Sequence, residues 1–507
     1  MTISAAQAGP QRSAHIGMWL VTVFAFASAV MHVRAVCWSL IASDNWNHIQ
    51  PLLSDAIAGR LDIGNFLVQR AGVDHAQPLN KLVMLVNYRW FGLDFLLEGF
   101  LGMAFGAAAA LVLWRVVTRD AATRGGAPVD VRGVRRPVAF FIAFAAAASV
   151  FYSLNSSFIY TYSMVTMWFA LYLLSFAMVL AAWHALLEGR RWPLALATFV
   201  LGIVGDDSAF LDASALGLAL LLYGAHARAW RRTLPALATI VAAVLVSRVV
   251  YALFGETSGA TQAIFNQPLT ARIAALAAQW RDGWTWFALP TVSGLANADV
   301  LRHIFGAHAI AARNGIGVVM LVAHLAFWWA ALRLRSGAAW LAAVTVMLMF
   351  YAHVGAILFA RVFVKGVAYM DQERYVSFYQ LGIIALLLMA MAWLLQRPTP
   401  IARRGIALVA IAVLLLQLPI TWIAKQREPG IDAHNRQMAV SMALVARDPL
   451  HPPVSCASGM DLCVLPVEGR VALIGLLRNH RLSLFSPQYA RRHRDDMAAV
   501  RAATGTP

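Results

Sequence analysis

The chain has 507 residues, of which 60% are hydrophobic and 13% are charged, and its formal net charge at pH 7 is +17. This composition excludes an ordinary soluble domain, and the spread of arginine over many short loops excludes a single nucleic-acid-binding face. We therefore predict an all-α polytopic membrane protein without a nucleic-acid partner, whose arginines also contact anionic membrane lipids.

About eleven apolar stretches are candidates for membrane spans, because a hydrocarbon core of roughly 30 Å needs about 20 residues per helix. They cover residues 16–41, 95–117, 138–152, 164–186, 194–204, 209–223, 234–254, 316–332, 338–360, 376–395 and 406–424. Residues 194–204 and 209–223 are the weakest candidates, and the polar turn between them is compatible with a broken or re-entrant pair.

Arginines recur in alternate connections, namely 119–136, 190–191, 228–232, 333–335 and 397–404. Short cationic loops stay in the cytoplasm, so we predict a bacterial inner-membrane protein with a cytoplasmic N-terminus and a periplasmic C-terminus. The transmembrane region 1–424 then carries outer loops at 42–94, 255–315 and 361–375, with interfacial helices. A small periplasmic region, 425–507, follows it.

Two of the three cysteines, Cys456 and Cys463, lie close together in the predicted periplasmic region. An oxidising compartment favours a short disulfide loop there, although two free thiols are the alternative. Neither their spacing nor their neighbours indicate zinc. Cys37 lies in the first apolar stretch, where a small apolar side chain is expected.

The first outer loop begins with Asp44, Asn45 and Trp46, directly after an apolar stretch. Indole rings favour the membrane interface, so the Asp44 carboxylate should lie near the outer surface. There it could act as a base that deprotonates or orients an acceptor hydroxyl. Capping of a helix over 45–58 is an equally good interpretation of Asp44.

The same loop continues with Asp74, His75, Ala76, Gln77 and Pro78, and then with an apolar segment, 79–91, interrupted by polar residues. Proline near its start and this mixed composition predict an amphipathic helix in the interface. Asp74 or His75 could face a cavity shared with Asp44, and Trp46 and Gln77 are candidates for substrate contact. A structural role for His75 is the competing interpretation.

The turn Gly205-Asp206-Asp207-Ser208 places adjacent carboxylates at the outer ends of two spans. Asp206 and Asp207 could hold a divalent cation against a phosphate, or they could cap the following helix. A divalent cation is possible but not indicated, so the cofactor is unknown and no metal ligands are assigned.

A charged segment lies between two late spans and follows His353 by about two helical turns. It contains Arg361, Lys365, Asp371, Glu373, Arg374 and Tyr375. An arginine such as Arg374 can bind a phosphate through two hydrogen bonds and stabilise a leaving group. Extension of Arg361 and Lys365 to lipid headgroups is the alternative.

Taken in order, these motifs resemble the integral-membrane glycosyltransferases of the GT-C superfamily. The resemblance covers most of residues 16–424 and depends on the first-loop Asp44-Asn45-Trp46, the Asp74-to-Leu79 segment and Glu373-Arg374-Tyr375. It implies a polyprenyl-phosphate-linked sugar donor, with Asp44 as base or acceptor-orienting group and a basic residue such as Arg374 near the donor phosphate. The usual paired acid is Asp44-Asn45 here, which is a single carboxylate and argues against a metal-dependent mechanism.

The resemblance implies a single inverting displacement at the periplasmic face, with a glycan or lipid as acceptor. Arg374, Lys365 or Arg361, and Tyr375 would contact the donor. The aromatic segment 280–287 and a helix around 301–313 could frame a substrate groove, or the tryptophans could anchor the protein at the interface.

Two other classes compete with this hypothesis. A lipid-linked-sugar transporter or flippase would show internal repeats and charges near the midplane of several spans, whereas this sequence shows no repeat, its spans are largely uncharged and its charges collect at the predicted outer face. A membrane acyltransferase or polysaccharide ligase would also act at the outer face. Acyl transfer more often depends on histidine, so His75, His303, His308 and His353 keep that alternative open.

Overall fold

The computed structural model describes residues 9–41, 45–68, 76–119, 123–124, 127–128, 136–161, 164–205, 208–255, 268–396, 398–452, 456, 460–463 and 465–505. These residues are almost entirely helical. One two-residue antiparallel ladder pairs Thr123–Arg124 with Ala127–Pro128, with Thr123 opposite Pro128.

The helices in chain order are α1 (Gly9–Val36), α2 (Asn45–Ile57), α3 (Ile63–Leu67), α4 (Pro78–Phe91), α5 (Phe95–Thr118), α6 (Val138–Phe151), α7 (Ser157–Tyr160), α8 (Met164–Glu188), α9 (Trp192–Val204), α10 (Ser208–Ala227), α11 (Trp230–Phe254), α12 (Leu269–Ala278), α13 (Gly283–Ser293), α14 (Ala298–Phe305), α15 (Ala309–Arg333), α16 (Ala338–Ile357), α17 (Phe363–Lys365), α18 (Val376–Leu394), α19 (Pro400–Arg447), α20 (Val467–Asn479), α21 (Pro487–Arg492) and α22 (Arg494–Thr504). Short 3₁₀ turns are Leu154–Ser156, Trp280–Asp282, Gly306–His308, Val367–Asp371, Glu373–Tyr375, Asp461–Cys463 and Ser483–Phe485.

Ten helical stretches of the described chain are long and apolar enough to cross a membrane, and α9 is a shorter apolar helix. The chain is therefore a multi-pass, all-α membrane protein with about eleven spans, which confirms the predicted fold class. Helix α10 has 20 residues, so it is long enough to cross alone, and α9, with 13 residues, is the short member of the pair predicted over 194–204 and 209–223.

Small residues allow the spans to approach closely. Gly102 and Gly106 on α5 face α8, and a Cβ at Gly102 would lie 2.7 Å from the backbone nitrogen of Thr166. Helix α6, which is alanine- and phenylalanine-rich and almost fully buried, packs against α1, α18 and α19. These contacts place α6 in the middle of the bundle.

The alternation of the spans gives the bundle two ends. The arginine-rich end carries the connections α8–α9, α10–α11, α15–α16 and α18–α19, where the arginine clusters of the sequence lie. The loop-rich end carries α2 to α4, α12 to α14, the α16–α18 connection and the C-terminal helices. The described parts of the predicted loops 42–94, 255–315 and 361–375 thus lie at one end together with the C-terminal helices, and the side of the membrane that each end faces stays a prediction.

A second hydrophobic core lies at the loop-rich end. It combines residues of α2 and α4, such as Leu53 and Met84, with Met438 and Met442 of α19 and Leu473 of α20. The C-terminal helices therefore pack directly on the first loop. The division between 1–424 and 425–507 stays a prediction, and this core contains residues from both sides of it.

Helix α19 also crosses that division, because its 48 residues run without interruption from Pro400 to Arg447. The predicted span 406–424 lies in the first half of this helix.

Buried polar contacts fasten the C-terminal helices to the bundle. Arg492 donates to the Asp94 carboxylate at 3.1 Å, and His493 Nε2 lies 3.1 Å from the same oxygen. Next to them, Tyr489 donates to Asp496 at 2.9 Å. Burial raises the pKa of the Tyr489 hydroxyl well above its usual value, so the hydroxyl keeps its proton and remains a donor.

The disulfide predicted between Cys456 and Cys463 is present. Cys37 is free and buried, as expected of an apolar filler.

Candidate functional site

The three predicted catalytic residues, Asp44, Asp74 and His75, lie outside the part of the chain that the structure describes. The same holds for the side chain of Trp46, a predicted substrate contact, and for Asp206 and Asp207, which were candidates for a cation site or a helix cap. The helices that flank them are described, namely α2, α4 and α10. The helix predicted over 45–58 corresponds to α2, and the one predicted over 79–91 corresponds to α4.

Gln77, a predicted substrate contact, lies at the start of α4 in a left-handed backbone conformation, with φ 51°. Its side chain is buried, and its amide oxygen accepts a hydrogen bond from Asn80 at 3.4 Å. Residues other than glycine, asparagine and aspartate rarely adopt this left-handed backbone conformation. Gln77 therefore shapes the entry to α4, and its contact with a substrate stays a prediction.

A buried lysine, Lys81, holds the first outer loop, and its place in a mostly apolar segment of the sequence did not indicate this role. Lys81 Nζ donates to the backbone carbonyls of Asn65, Phe66 and Val68, at 3.0, 3.2 and 2.7 Å. These carbonyls lie at the end of α3, where helix geometry leaves them without partners. Lys81 therefore ties the end of α3 to α4.

The connection from α16 to α18 folds back over the end of the bundle. Helix α16 widens into a π-helical turn, Leu358–Val362, and the chain then reverses at Gly366, whose φ of 81° favours glycine. Arg361 lies on the π turn and Lys365 ends α17, while Arg374 lies in the last 3₁₀ turn before α18. The three basic residues that are predicted to contact the donor phosphate therefore all lie in the connection between α16 and α18.

Arg374 is enclosed by two aromatic rings. Its guanidinium lies 5.5 Å from the ring centroid of Tyr369 and 5.1 Å from that of Tyr375, and it donates to the Tyr369 hydroxyl. Its Nε is buried and has no hydrogen-bond partner among the described residues. Cation–π contacts orient the guanidinium and leave this donor available.

Carboxylates near Arg374 are engaged by other arginines. Arg427 on α19 donates to Asp299 at 2.8 Å and to Glu373 at 3.3 Å. Arg302 also pairs with Asp299, and the hydroxyl of Ser157 donates to Glu373 at 3.3 Å. Among the described residues, Arg374 forms no ion pair with a carboxylate, so its positive charge is not neutralised by its acidic neighbour Glu373.

Directly below this connection lies a buried polar trio in the bundle. His353 stacks on Phe378, four residues after Arg374, with ring centroids 4.0 Å apart. His353 Nε2 lies 3.0 Å from Asp212 Oδ1, and Ser175 donates to Asp212 Oδ2 at 2.5 Å. The trio joins α8, α10 and α16 beneath Arg374.

The order of contacts in the trio matters for its chemistry. In a serine nucleophile system the histidine lies between serine and carboxylate and takes the serine proton. Here Ser175 and His353 both bond to the Asp212 carboxylate, so the histidine is not between them. This arrangement satisfies three buried polar groups and positions α16 and α18 under Arg374.

A further buried pair joins α1 to α19. His32 Nδ1 lies 2.8 Å from the Glu428 carboxylate, which also pairs with Lys425 at 3.3 Å. Both Asp212 and His32 were missed as site residues. The signal for them was in the sequence, since an ionisable residue inside an apolar span is expensive and has a partner by default.

The remaining histidines and aromatic residues of the outer loops are more exposed. His303 on α14 and His308 in the turn before α15 are exposed, and Trp280 is 70% exposed. Trp284 donates to the side chain of Asn314 at 3.2 Å. Both interpretations of the aromatic segment, substrate groove and interfacial anchor, stay predictions.

Within the described residues, no three histidine, cysteine, aspartate or glutamate side chains come together so as to hold a metal ion. Comparison of the chain with protein-family models, with curated proteins and with solved structures gave no significant match.

Proposed function

We propose that this protein is an inverting membrane glycosyltransferase that transfers a sugar from a polyprenyl-phosphate carrier to a glycan or lipid acceptor. The proposed location is the periplasmic face of a bacterial inner membrane. This orientation is supported by the arginines at one end of the bundle, since cationic short loops are retained in the cytoplasm. The loop-rich end would then face the periplasm.

The observation that carries the proposal is the environment of Arg374. An arginine held between Tyr369 and Tyr375, with a free buried Nε and no carboxylate partner among the described residues, suits a phosphate group. A phosphate that leaves a sugar gains negative charge, and a preorganised cation stabilises that charge in the transition state. Lys365 and Arg361 lie on the same connection and would add to the positive potential.

In the proposed reaction, Asp44 accepts the proton of the acceptor hydroxyl while the acceptor oxygen forms a bond to the anomeric carbon. The bond from that carbon to the phosphate oxygen breaks, and polyprenyl phosphate leaves with the bonding electrons next to Arg374. Attack from the opposite face inverts the configuration. Asp74, His75, Gln77 and Trp46 remain candidates for supporting contacts in the first outer loop.

The test is mass spectrometry of cell-envelope glycans and polyprenyl-linked sugars from cells with and without this chain. We expect loss of one sugar from a glycan or lipid and accumulation of the lipid-linked donor. Asp44→Asn and Arg374→Ala should reproduce this profile. Arg494→Ala, which removes an exposed charge from α22, should not. An unchanged profile in the deletion strain would overturn the proposal.

The same experiment separates the proposal from acyl transfer. If Asp44→Asn and Arg374→Ala leave the glycans intact while His75→Ala abolishes an acyl modification, the protein is an acyltransferase. His353 is a poor candidate for direct acyl-transfer chemistry, because it is 4% exposed and bonded to Asp212.

A further inference from the structure

At the arginine-rich end, the α10–α11 connection meets the α15–α16 connection, and together they line an open cavity of about 650 Å³. Its lining includes four arginines, Arg228, Arg231, Arg232 and Arg335. The two connections are joined by His226, whose Nε2 lies 2.8 Å from the carbonyl oxygen of Leu334. This cavity, which we call the arginine pocket, is at the opposite end of the bundle from Arg374.

The charge of the arginine pocket is unbalanced. No acidic residue lines it, and no described carboxylate pairs with any of its four guanidinium groups. Other cations at this end do find a carboxylate, as Arg190 does with Glu188 at 3.4 Å. Cations gathered in one concavity repel each other and create a strong positive potential, which an anion relieves.

The walls of the arginine pocket are fixed rather than flexible. His226 stacks on Trp340 with ring centroids 5.9 Å apart. The backbone of Arg335 is held on both sides by the side chain of Gln396, with two hydrogen bonds of 3.0 Å. Arg228 directly follows α10 and has a left-handed backbone conformation, with φ 52°, which is common for the residue that ends a helix.

A second polar group in the lining lacks a partner. Ser336 is 8% exposed, and its hydroxyl has no hydrogen-bond partner among the described residues although it lines the arginine pocket. A buried hydroxyl without a partner costs free energy. A ligand that brings acceptor oxygens would satisfy this hydroxyl and the guanidinium groups together.

The surroundings indicate which anion is suited to the site. Trp230, which lines the arginine pocket, is 41% exposed, and the apolar side chains of Leu221 on α10 and Leu234 on α11 are 37% and 53% exposed. Its volume is in the range of small-molecule sites, roughly 300 to 1,000 Å³, rather than that of a single small ion. A phosphate attached to a glycerol and acyl chains matches both the polar cavity and the apolar border.

We propose that the arginine pocket binds the phosphate headgroup of an anionic phospholipid. The guanidinium groups would contact the phosphate oxygens in the bidentate manner that arginine favours, and Ser336 would donate to the headgroup. This site is independent of the proposed glycosyl transfer, because it uses residues at the other end of the bundle.

The test uses the full-length chain in nanodiscs that contain either dioleoyl phosphatidylglycerol or dioleoyl phosphatidylcholine. We expect a higher unfolding temperature in phosphatidylglycerol, and retention of that lipid in native mass spectra. Arg228→Ala/Arg231→Ala/Arg335→Ala should reduce retention at least fivefold. The control Arg403→Ala/Arg404→Ala, which removes exposed charges at the same end, should retain the lipid as the unmodified chain does.

A charge-preserving variant separates specific recognition from general attraction. Arg228→Lys/Arg231→Lys/Arg335→Lys should lose at least half of the retained lipid, since lysine lacks the guanidinium fork. The proposal is overturned if the control variant loses lipid equally, or if neither lipid is retained. It is also overturned if inorganic phosphate stabilises the chain as strongly as phosphatidylglycerol, since a soluble anion is then the ligand. Should the triple alanine variant not fold, Arg231→Ala/Arg335→Ala serves the same comparison.

Discussion

His353 Nε2 on α16 lies 3.0 Å from the Asp212 carboxylate on α10, and the two side chains are 5% and 4% exposed. This contact connects two spans that are far apart in the sequence. Together with Ser175 it forms a polar junction under the connection that carries Arg374. Removal of one member of such a junction is costly, because it leaves the other members buried and unsatisfied.

Asp212→Ala and His353→Ala should each lower the free energy of unfolding by about 3 kcal/mol, because each leaves a buried polar partner without its bond. Asp212→Asn, which keeps the shape and an acceptor, should cost less. Thermal unfolding in detergent provides the measurement. The exposed His303→Ala is the control, and equal unfolding temperatures for all four variants would contradict the structural role assigned to the pair.

Lys81→Met should loosen the first outer loop without unfolding the bundle. Loss of the ammonium group leaves the carbonyls of Asn65, Phe66 and Val68 without this donor, at a cost of about 2 kcal/mol. Cleavage by chymotrypsin after Phe66 or Leu67 should therefore become about 30-fold faster, because it follows the open population. Lys365→Met, at an exposed position, should leave this rate unchanged. A rate that is equal in both variants would show that Lys81 does not hold the segment.

Replacement of Cys456 and Cys463 by serine should lower stability by about 2 kcal/mol, since their separation of seven residues closes a short loop. Thermal unfolding with and without reductant checks the magnitude.

Labelling of intact cells with a maleimide tests the compartment of the unmodified protein. Cys456 and Cys463 of the unmodified protein should resist labelling until a reductant opens their disulfide, as expected in an oxidising compartment. Labelling without reductant would contradict the periplasmic placement.

The attachment of the C-terminal helices should depend on pH through Asp496. Burial raises the pKa of this carboxyl, although the Tyr489 hydrogen bond and nearby His493 lower it. The folded state therefore binds the proton more tightly than the unfolded state. This contribution to stability is complete below the ordinary value near 4 and is lost as pH rises through the folded pKa.

Asp496→Asn should remove that dependence. Between pH 4 and pH 7, the unfolding temperature of the unmodified chain should fall relative to that of the variant. Asp495→Asn, an exposed neighbour, should follow the unmodified chain at every pH. Parallel curves for all three proteins would show that Asp496 does not titrate differently on folding.

Sequence alone predicted the spans because a helix in lipid must satisfy its backbone internally and cover itself with apolar side chains. These are local properties, so the predicted and observed helices agree in position. The continuous course of α19 was not predicted. The cluster around Lys425, Arg427 and Glu428 has the composition of a span end, and the helix continues because its second half is buried in another core.

The site was predicted only in part, because the sequence shows which residues are neighbours in the chain but not which distant residues are in contact. The sequence grouped Arg361, Lys365 and Arg374 because they are neighbours in the chain, and the structure keeps them in one connection. It could not pair Asp212 with His353, or Arg427 with Asp299, because these contacts join residues that are 141 and 128 positions apart. Intramembrane position marks such residues as important, but only the packing of the spans identifies their partners.

Helix α19 connects the C-terminal region to the segment that carries Arg374. At about 1.5 Å per residue its 48 residues extend roughly 72 Å, more than twice the hydrocarbon thickness of about 30 Å. Pro419 and Pro429 remove backbone donors, so bending concentrates at those positions. Arg427 lies between them and donates to Glu373 at 3.3 Å, so the part of α19 that extends past the membrane is tied by one side-chain contact to the residue next to Arg374.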